Sequence, residues 1–234
     1  MIIILCQEEL TLKKKSIYII AIIICLFLIA TFVLLFLISP GKSLTIPKPE
    51  KYNTLDDFSK DKFQQALNGV KDSKKLKFIL TFSESELNDV FSLFYDSNKD
   101  NYGGLKKIKG FKFEITDKKI NLYANANYFG PFIAGLKIGF TPTIENNKIV
   151  LKIEESSVGA ISIPNSIPLS LLKSTDNSYF SIGKDNSSIT LTNSIPKEFE
   201  LDKIYIKDSK INLEVNVSIN SSQDVLDILS EFLK

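Results

Sequence analysis

The sequence predicts an α+β protein: an N-terminal transmembrane helix followed by a curved antiparallel β-sheet packed with amphipathic helices. Three observations predict it. Residues 17–38 carry no charge at all. From Gly104 onward, apolar residues recur at every second position over several consecutive segments. On either side of that stretch they recur with a helical period instead. The expected organisation is a cytoplasmic N-terminus (1–16), a transmembrane signal anchor (17–38), a linker (39–53) and one extracytoplasmic domain (54–234).

The uncharged run Ile17 to Ile38 has 22 residues. At about 1.5 Å per helical residue it measures roughly 33 Å, against a hydrocarbon core of about 30 Å. Lys13, Lys14 and Lys15 precede it, which leaves the N-terminus in the cytoplasm and the rest of the chain outside by the positive-inside rule. A cleaved signal peptide would have a shorter apolar core and a small-residue exit; here the run ends Leu37-Ile38-Ser39-Pro40. Cys25 follows bulky Ile24, unlike a lipoprotein processing site. Cys6 and Cys25 are the only cysteines, so the outer domain has no disulfide and depends on its core. Ser39 to Asn53 contains Pro40, Gly41, Pro47 and Pro49 and reads as a stiffened linker; extended, it would lift the domain by roughly 50 Å.

In the domain, Leu55, Phe58, Phe63, Ala66, Leu67 and Val70 have helical spacing, with Asp56 and Asp57 in the first turn, where carboxylates suit the helix dipole. Leu76 to Phe82 reads as a strand. It runs into Ser83-Glu84-Ser85-Glu86, an S-x-x-E capping box, and Phe82 and Leu87 make a hydrophobic staple around it. The helix that follows carries Leu87, Val90, Phe91 and Phe94 on one face and ends near Tyr95.

Then the period falls to two. Phe111, Phe113 and Ile115 alternate with polar residues, as do Ile120, Leu122, Ala124 and Ala126, then Leu136, Ile138 and Phe140, then Ile149, Leu151 and Ile153. Asp117-Lys118, Gly130-Pro131 and Asn146-Asn147 supply the turns, so the stretch is an antiparallel meander with one wet face. A short helix is expected near 167–173, strands near 188–192, 199–207 and 210–219, and a closing amphipathic helix over 222–233.

Composition removes many activities. Of 234 residues, 29 are cationic and all are lysine; histidine, arginine and tryptophan are absent, and the net charge is +2. Without histidine there is no Ser-His-Asp catalysis and no ordinary zinc site. Without arginine there are no guanidinium clamps on phosphate, and the balanced charge argues against nucleic acid as a partner. Ser170 to Lys173 spells S-x-x-K, but the pattern recurs by chance in a chain this rich in both residues, and its K-T-G companion is missing. Gly41-Lys42-Ser43 resembles the end of a P-loop whose first glycine would fall on Phe36, inside the membrane helix. Asp96, Asn98 and Asp100 have calcium-loop spacing, but Asn101 and Lys107 stand where glycine and glutamate are needed. Glu154 and Glu155, adjacent on a strand, point to opposite faces. The expectation is therefore no catalytic residue, no metal and no cofactor.

What remains is apolar. If helices and curved sheet do not close completely, they leave a greasy groove suited to an acyl chain. Its expected lining is Phe82, Leu87, Val90, Phe91 and Phe94 from the capped helix, with Phe111, Phe113, Leu122, Leu136, Ile138 and Phe140 from the sheet and Gly159 to Pro164 at the rim. This reading makes the protein a non-enzymatic, membrane-anchored domain that binds a lipid or other amphiphile. The alternative is a closed core whose loops dock an envelope protein partner.

Leu80-Thr81-Phe82-Ser83-Glu84-Ser85-Glu86-Leu87-Asn88 resembles the strand-to-helix start of the YpmS-like family, single-pass envelope proteins of Gram-positive bacteria. Phe140-Thr141-Pro142 with Ile149-Val150-Leu151, then Gly159-x-Ile161-x-Ile163-Pro164, resembles a second stretch of that family. The excess of Ile, Lys and Asn over Arg fits AT-rich coding. The resemblance implies a single-pass membrane protein with its domain outside the cell, and supplies no catalytic residues. The layout is also similar to tubular (TULIP-like) lipid-binding domains, which implies a long helix lying in a strongly bent sheet.

Overall fold

The computed structural model describes residues 23–69, 76–100, 104–129, 132–170, 180–183, 187–191 and 199–217. Residues 23–38 are helical (α1). Among the described residues no helix is long and apolar enough to cross a membrane; residues 17–22 of the expected span lie outside them. The outward side chains of α1 are apolar and exposed, Phe27, Phe32 and Phe36 by 71–75%.

Helix α2 (Leu55–Gly69) starts at a reciprocal cap: Thr54 N–H donates to Asp57 Oδ2 and Asp57 N–H to Thr54 Oγ1. Strand β1 (Leu76–Phe82) leads into α3 (Glu84–Asn98) through the expected capping box, with Glu86 N–H bonded to Ser83 Oγ and Ser83 N–H to Glu86 Oε2. Helix α3 runs three residues past Tyr95, so Asp96 and Asn98 sit on its last turn, where Asp96 pairs with Lys99. The calcium-like spacing is therefore helix surface. A 3₁₀ turn (Leu105–Lys107) opens the meander β2 (Ile108–Ile115), β3 (Ile120–Phe129), β4 (Phe132–Glu145) and β5 (Lys148–Val158). Then come β6 (Ile161–Ser162), α4 (Ser166–Ser170), β7 (Phe180–Ile182), β8 (Ser188–Leu191), β9 (Phe199–Lys207) and β10 (Lys210–Val217). The expected closing helix over 222–233 lies outside the described residues, as do residues 171–173, including Lys173 of the S-x-x-K pattern.

The strands make two antiparallel sheets, where the sequence had suggested one. The larger has the order β2-β3-β4-β5-β8-β7, with β6 on β5; the smaller has the order β1-β10-β9. The β1–β10 pair joins Leu76 to Val217 and Phe82 to Ile211. Such a remote pairing leaves no local mark on the sequence. The β4–β5 turn places Asn146 and Asn147 at positive φ, and the β9–β10 turn does the same with Asp208 and Ser209. These are the two-residue turns whose twist matches paired strands. The Asn147 side chain then bonds the Phe199 carbonyl and the Leu201 N–H, tying the meander to β9. Pro142 is tolerated inside β4 because β4 leaves β3 beyond Phe140.

Between the sheets lies a core of Ile115, Ile120, Ile138, Phe140, Ile153, Leu169, Ile189 and Ile211. A second cluster packs α2 on the small sheet through Ala66, Phe78, Leu213 and Val215. A third joins α3 to the near end of β2 and β3 through Tyr95, Leu105, Phe111 and Ala124.

The segment expected to be a free linker is a strap bound along the domain. It crosses the outer face of the large sheet, one strand after another. The Leu37 carbonyl accepts from Ala160 N–H just past β5, and the Lys42 carbonyl from Asn125 Nδ2 on β3. The Thr45 carbonyl accepts from Phe111 N–H on β2. Glycines make the room. A Cβ on Gly110 would collide with the Leu44 carbonyl oxygen, and one on Gly135 would stand 2.7 Å from Pro40 Cα. One on Gly159 would collide with the Leu37 carbonyl oxygen. Isolated strand glycines mark such close backbone approach. Rounding the β2 edge, the strap reaches α3, where Glu50 and Lys51 N–H both donate to the Asp89 carboxylate at 3.0 and 2.8 Å.

Candidate functional site

Helix α3 lies along the open edge of β2. Edge strands expose unpaired backbone groups that must be covered. Here the outward N–H groups of Phe111, Phe113 and Ile115 donate to the Thr45 carbonyl, Asn88 Oδ1 and Glu84 Oε2 in turn. Asn88 Nδ2 also donates to the Phe113 carbonyl. The helix is thereby fixed beside the inner face of the sheet, with Phe91 in edge contact with the rings of Phe111 and Phe113 at 4.7 and 5.2 Å.

The two faces of α3 fare differently from the amphipathic expectation. Its buried residues are Glu86, Asp89, Ser92 and Tyr95. The apolar stripe Leu87, Val90, Phe91 and Phe94 is only half-buried. The polar face is covered because the strap and α2 bring it partners. Glu86 Oε1 receives Lys51 Nζ and Tyr52 Oη at 2.8 Å and Lys62 Nζ at 3.0 Å. Lys62, itself 5% exposed, also donates to the Thr81 carbonyl. Tyr52 Oη lies 2.7 Å from Asp61. Burial pushes the Glu86 carboxyl up, but the bonds from Lys51, the Ser83 N–H, Lys62 and Tyr52 outweigh it and hold the carboxyl at about 2. The Lys51 ammonium loses solvent, yet Glu86, Tyr52 and Asp61 raise it well above the ordinary lysine range.

On the inner face of the sheet, cross-strand register sets out three rows. Phe111, Ala124, Leu136 and Val158 form the first; Phe113, Leu122, Ile138 and Ser156 the second; Ile115, Ile120, Phe140 and Ile153 the third. The third row is buried throughout. In the others, Phe111, Ala124, Ile138 and Ser156 are buried, whereas Phe113, Leu122, Leu136 and Val158 are half-buried. The half-buried residues form an oblique band across β2, β3, β4 and β5. Phe113, Leu122 and Leu136 belong to neither closed cluster and pack against both.

The expected lining residues thus separate into groups. Phe111, Ile138 and Phe140 are roots of the closed core, with Phe111 1% exposed. Phe113, Leu122 and Leu136 form the band, and Leu87, Phe91 and Phe94 flank it from α3. Phe82 packs against both the central cluster and the small-sheet cluster. Val90 is half-buried and lies outside all three clusters. The expected rim, Gly159 to Pro164, folds back on β5: Ser156 Oγ donates to the Ile163 carbonyl, and Gly159 is filled by the end of α1. Sequence reasoning missed the Lys51, Tyr52, Asp61, Lys62, Glu86 and Asp89 cluster. Its one signal is Lys62 standing between Phe58 and Ala66 on the same helical face, where an apolar residue belongs.

Glu155, a candidate acid in the sequence, sits on the outer face between Lys119 and Lys137 at 2.7 and 2.6 Å. Hydrogen bonds from both lysines lower its carboxyl from the ordinary range. Glu154 is exposed and does not join it. No family model, no curated protein and no solved structure matches this chain.

Proposed function

We propose that this protein is a membrane-anchored, extracytoplasmic, non-enzymatic domain that holds an acyl chain or similar amphiphile against the inner face of its large sheet. The observation that carries the reading is the half-buried apolar band Phe113, Leu122, Leu136 and Val158, flanked by Leu87, Phe91 and Phe94. Residues on the inner face of a sheet are ordinarily buried, as the row Ile115, Ile120, Phe140 and Ile153 is. The four residues of the band are only half-buried. Each apolar side chain moved from water to a hydrocarbon chain contributes about 25 cal/mol per Å² covered, so a lipid tail is the complement such a band favours. The exposed apolar surface of α1 and the lysines before residue 17 support the anchor and its orientation. The resemblance to YpmS-like envelope proteins points the same way.

The test is photo-crosslinking. The full chain in bacterial membranes is exposed to phosphatidylglycerol with a diazirine in its acyl chain, and adducts are mapped by peptide mass. The expected result is adducts on α3, β3 and β4 in addition to α1, with those on β3 and β4 suppressed by Leu136→Trp, which fills the band. Adducts confined to α1 in a folded chain overturn the groove.

A further inference from the structure

We propose that the end of the domain where α1 and the strap arrive is a bilayer-docking surface: the start of β4 dips Phe132 and Ile133 into an anionic leaflet, under a rim of lysines. The inference rests on reading α1 as the anchor and goes beyond it, because an anchored domain need not touch the membrane.

The geometry fixes the distance. The Leu37 carbonyl is bonded to Ala160 N–H, Gly159 N–H donates to the Gly135 carbonyl at 2.6 Å, and Pro40 lies on Gly135. The last turn of α1 is therefore fastened to β4 and the β5 turn. Phe132 precedes Gly135 by three residues, roughly 10 Å along the strand. A leaflet surface at the C-terminal end of α1 thus lies within that reach of Phe132.

The chemistry of this end fits a bilayer. Phe132 and Ile133 are 48% and 44% exposed. The meander's turns at the opposite end of the sheet, Asp117-Lys118 and Asn146-Asn147, are polar. Around the end where Phe132 and Ile133 lie stand Lys42 on the strap, Lys106 in the 3₁₀ turn and Lys109 at the start of β2, all exposed. Strand β2 enters the sheet there, pairing Ile108 with Ala126 near the end of β3. The acids described nearby are Asp96, paired with Lys99, and Asp100, 3.8 Å from Lys106. An apolar end ringed by lysines is the complement of anionic headgroups over acyl chains. Docked in this way, Leu136 and Val158, one residue from the Gly135–Gly159 contact, form the end of the band nearest the leaflet, and the proposed groove opens toward its lipid supply.

The test uses the full chain in vesicles of phosphatidylglycerol and phosphatidylcholine containing lipid with a doxyl group either near the headgroup, for labels on the domain, or midway along the acyl chain, for the label at position 25, which the span 17–38 places near the bilayer centre. An environment-sensitive fluorophore is attached at one cysteine at a time. The first chain is Cys6→Ser, labelled at natural Cys25 on α1; the second and third are Cys6→Ser/Cys25→Ser with Ile133→Cys or, in the exposed β2–β3 turn at the opposite end of the sheet, Lys118→Cys. The expected result is about a twofold loss of emission at position 133, as for a group seated at the headgroup–acyl boundary, and none at position 118. That loss shrinks in vesicles of phosphatidylcholine alone. Quenching at position 25 without quenching at 133 overturns the docking surface and leaves the anchor standing. Absence of quenching at 25 removes the anchor reading, and the docking surface with it. Equal quenching at 133 in neutral vesicles overturns the role of the lysines.

Discussion

Helix α3 has a polar face that is buried and an apolar face that is half open. Glu86, Asp89 and Ser92 are 7%, 3% and 0% exposed, while Leu87, Val90, Phe91 and Phe94 look across a band of sheet that nothing described covers fully. The difference teaches that burial follows available partners as well as hydrophobicity. A carboxylate is expensive to bury unless it is paired and bonded. Glu86 and Asp89 between them receive the strap's backbone, two lysines, a tyrosine and the helix's own cap. The apolar face has been given no comparable cover, and that is the feature a ligand would use.

Breaking the polar face should have the largest effect. Glu86→Ala leaves the nearly buried Lys62 ammonium without its anion, a loss of about 3–5 kcal/mol, read as a lowered denaturation midpoint of the full chain in detergent. A loss below about 1 kcal/mol, the range of surface ion pairs, would show that the cluster is ornamental to stability. Acid makes the same break gradually. The Glu86 carboxyl titrates at about 2 when folded, against 4.5 ordinarily. Its contribution is therefore complete above about 4.5 and is lost as pH falls toward about 2. Glu86→Gln should flatten the midpoint-against-pH curve in that window.

The strap itself comes next. Gly159 has φ +57° and no space for a Cβ beside the Leu37 carbonyl. Gly159→Ala combines left-handed backbone strain of about 1–2 kcal/mol with a forced shift of the strap. It should render residues 39–53 more sensitive to limited proteolysis than they are in the parent chain. Gly41→Ala is the internal control, since a Cβ at Gly41 meets nothing within 4 Å. Equal protease resistance in both variants would mean that the strap does not depend on its contact with Gly159.

Much of this was legible in the sequence, and the limits are physical. The Ser83–Glu86 cap, the alternation through β2 to β5 and the Asn146-Asn147 turn are local, and each took the expected form. The pairing of Leu76 with Val217 is not local, so one sheet was expected where two exist. Pro40, Pro47 and Pro49 give the strap the composition of a linker, and composition does not say what the chain lies against. Gly110, Gly135 and Gly159 carried that information, each interrupting or ending a strand where a backbone crosses. Alternation and helical spacing pick out Phe113, Leu122 and Leu136 of the half-buried band but not Val158, and those patterns do not distinguish Phe111, sealed by α3, from Leu122, left half open.

Val90 offers the smallest and most selective break. It lies on the apolar stripe of α3, half-buried and outside the three clusters. Its removal should barely disturb the core. Val90→Asn is expected to change stability by no more than about 0.5 kcal/mol, as for substitutions remote from packed features. If the half-open face holds an acyl chain, the same substitution places an amide against hydrocarbon with no hydrogen-bond partner, a penalty of about 1–3 kcal/mol on the bound state alone. Acyl-diazirine adducts on β3 and β4 should then fall severalfold while the denaturation midpoint stays put. A variant that loses stability and keeps its adducts would mark the stripe as ordinary core, and the contrast between the two faces of α3 would become one of packing alone. A variant that keeps stability and loses adducts would identify the open face as a binding surface that the fold does not need for its own stability.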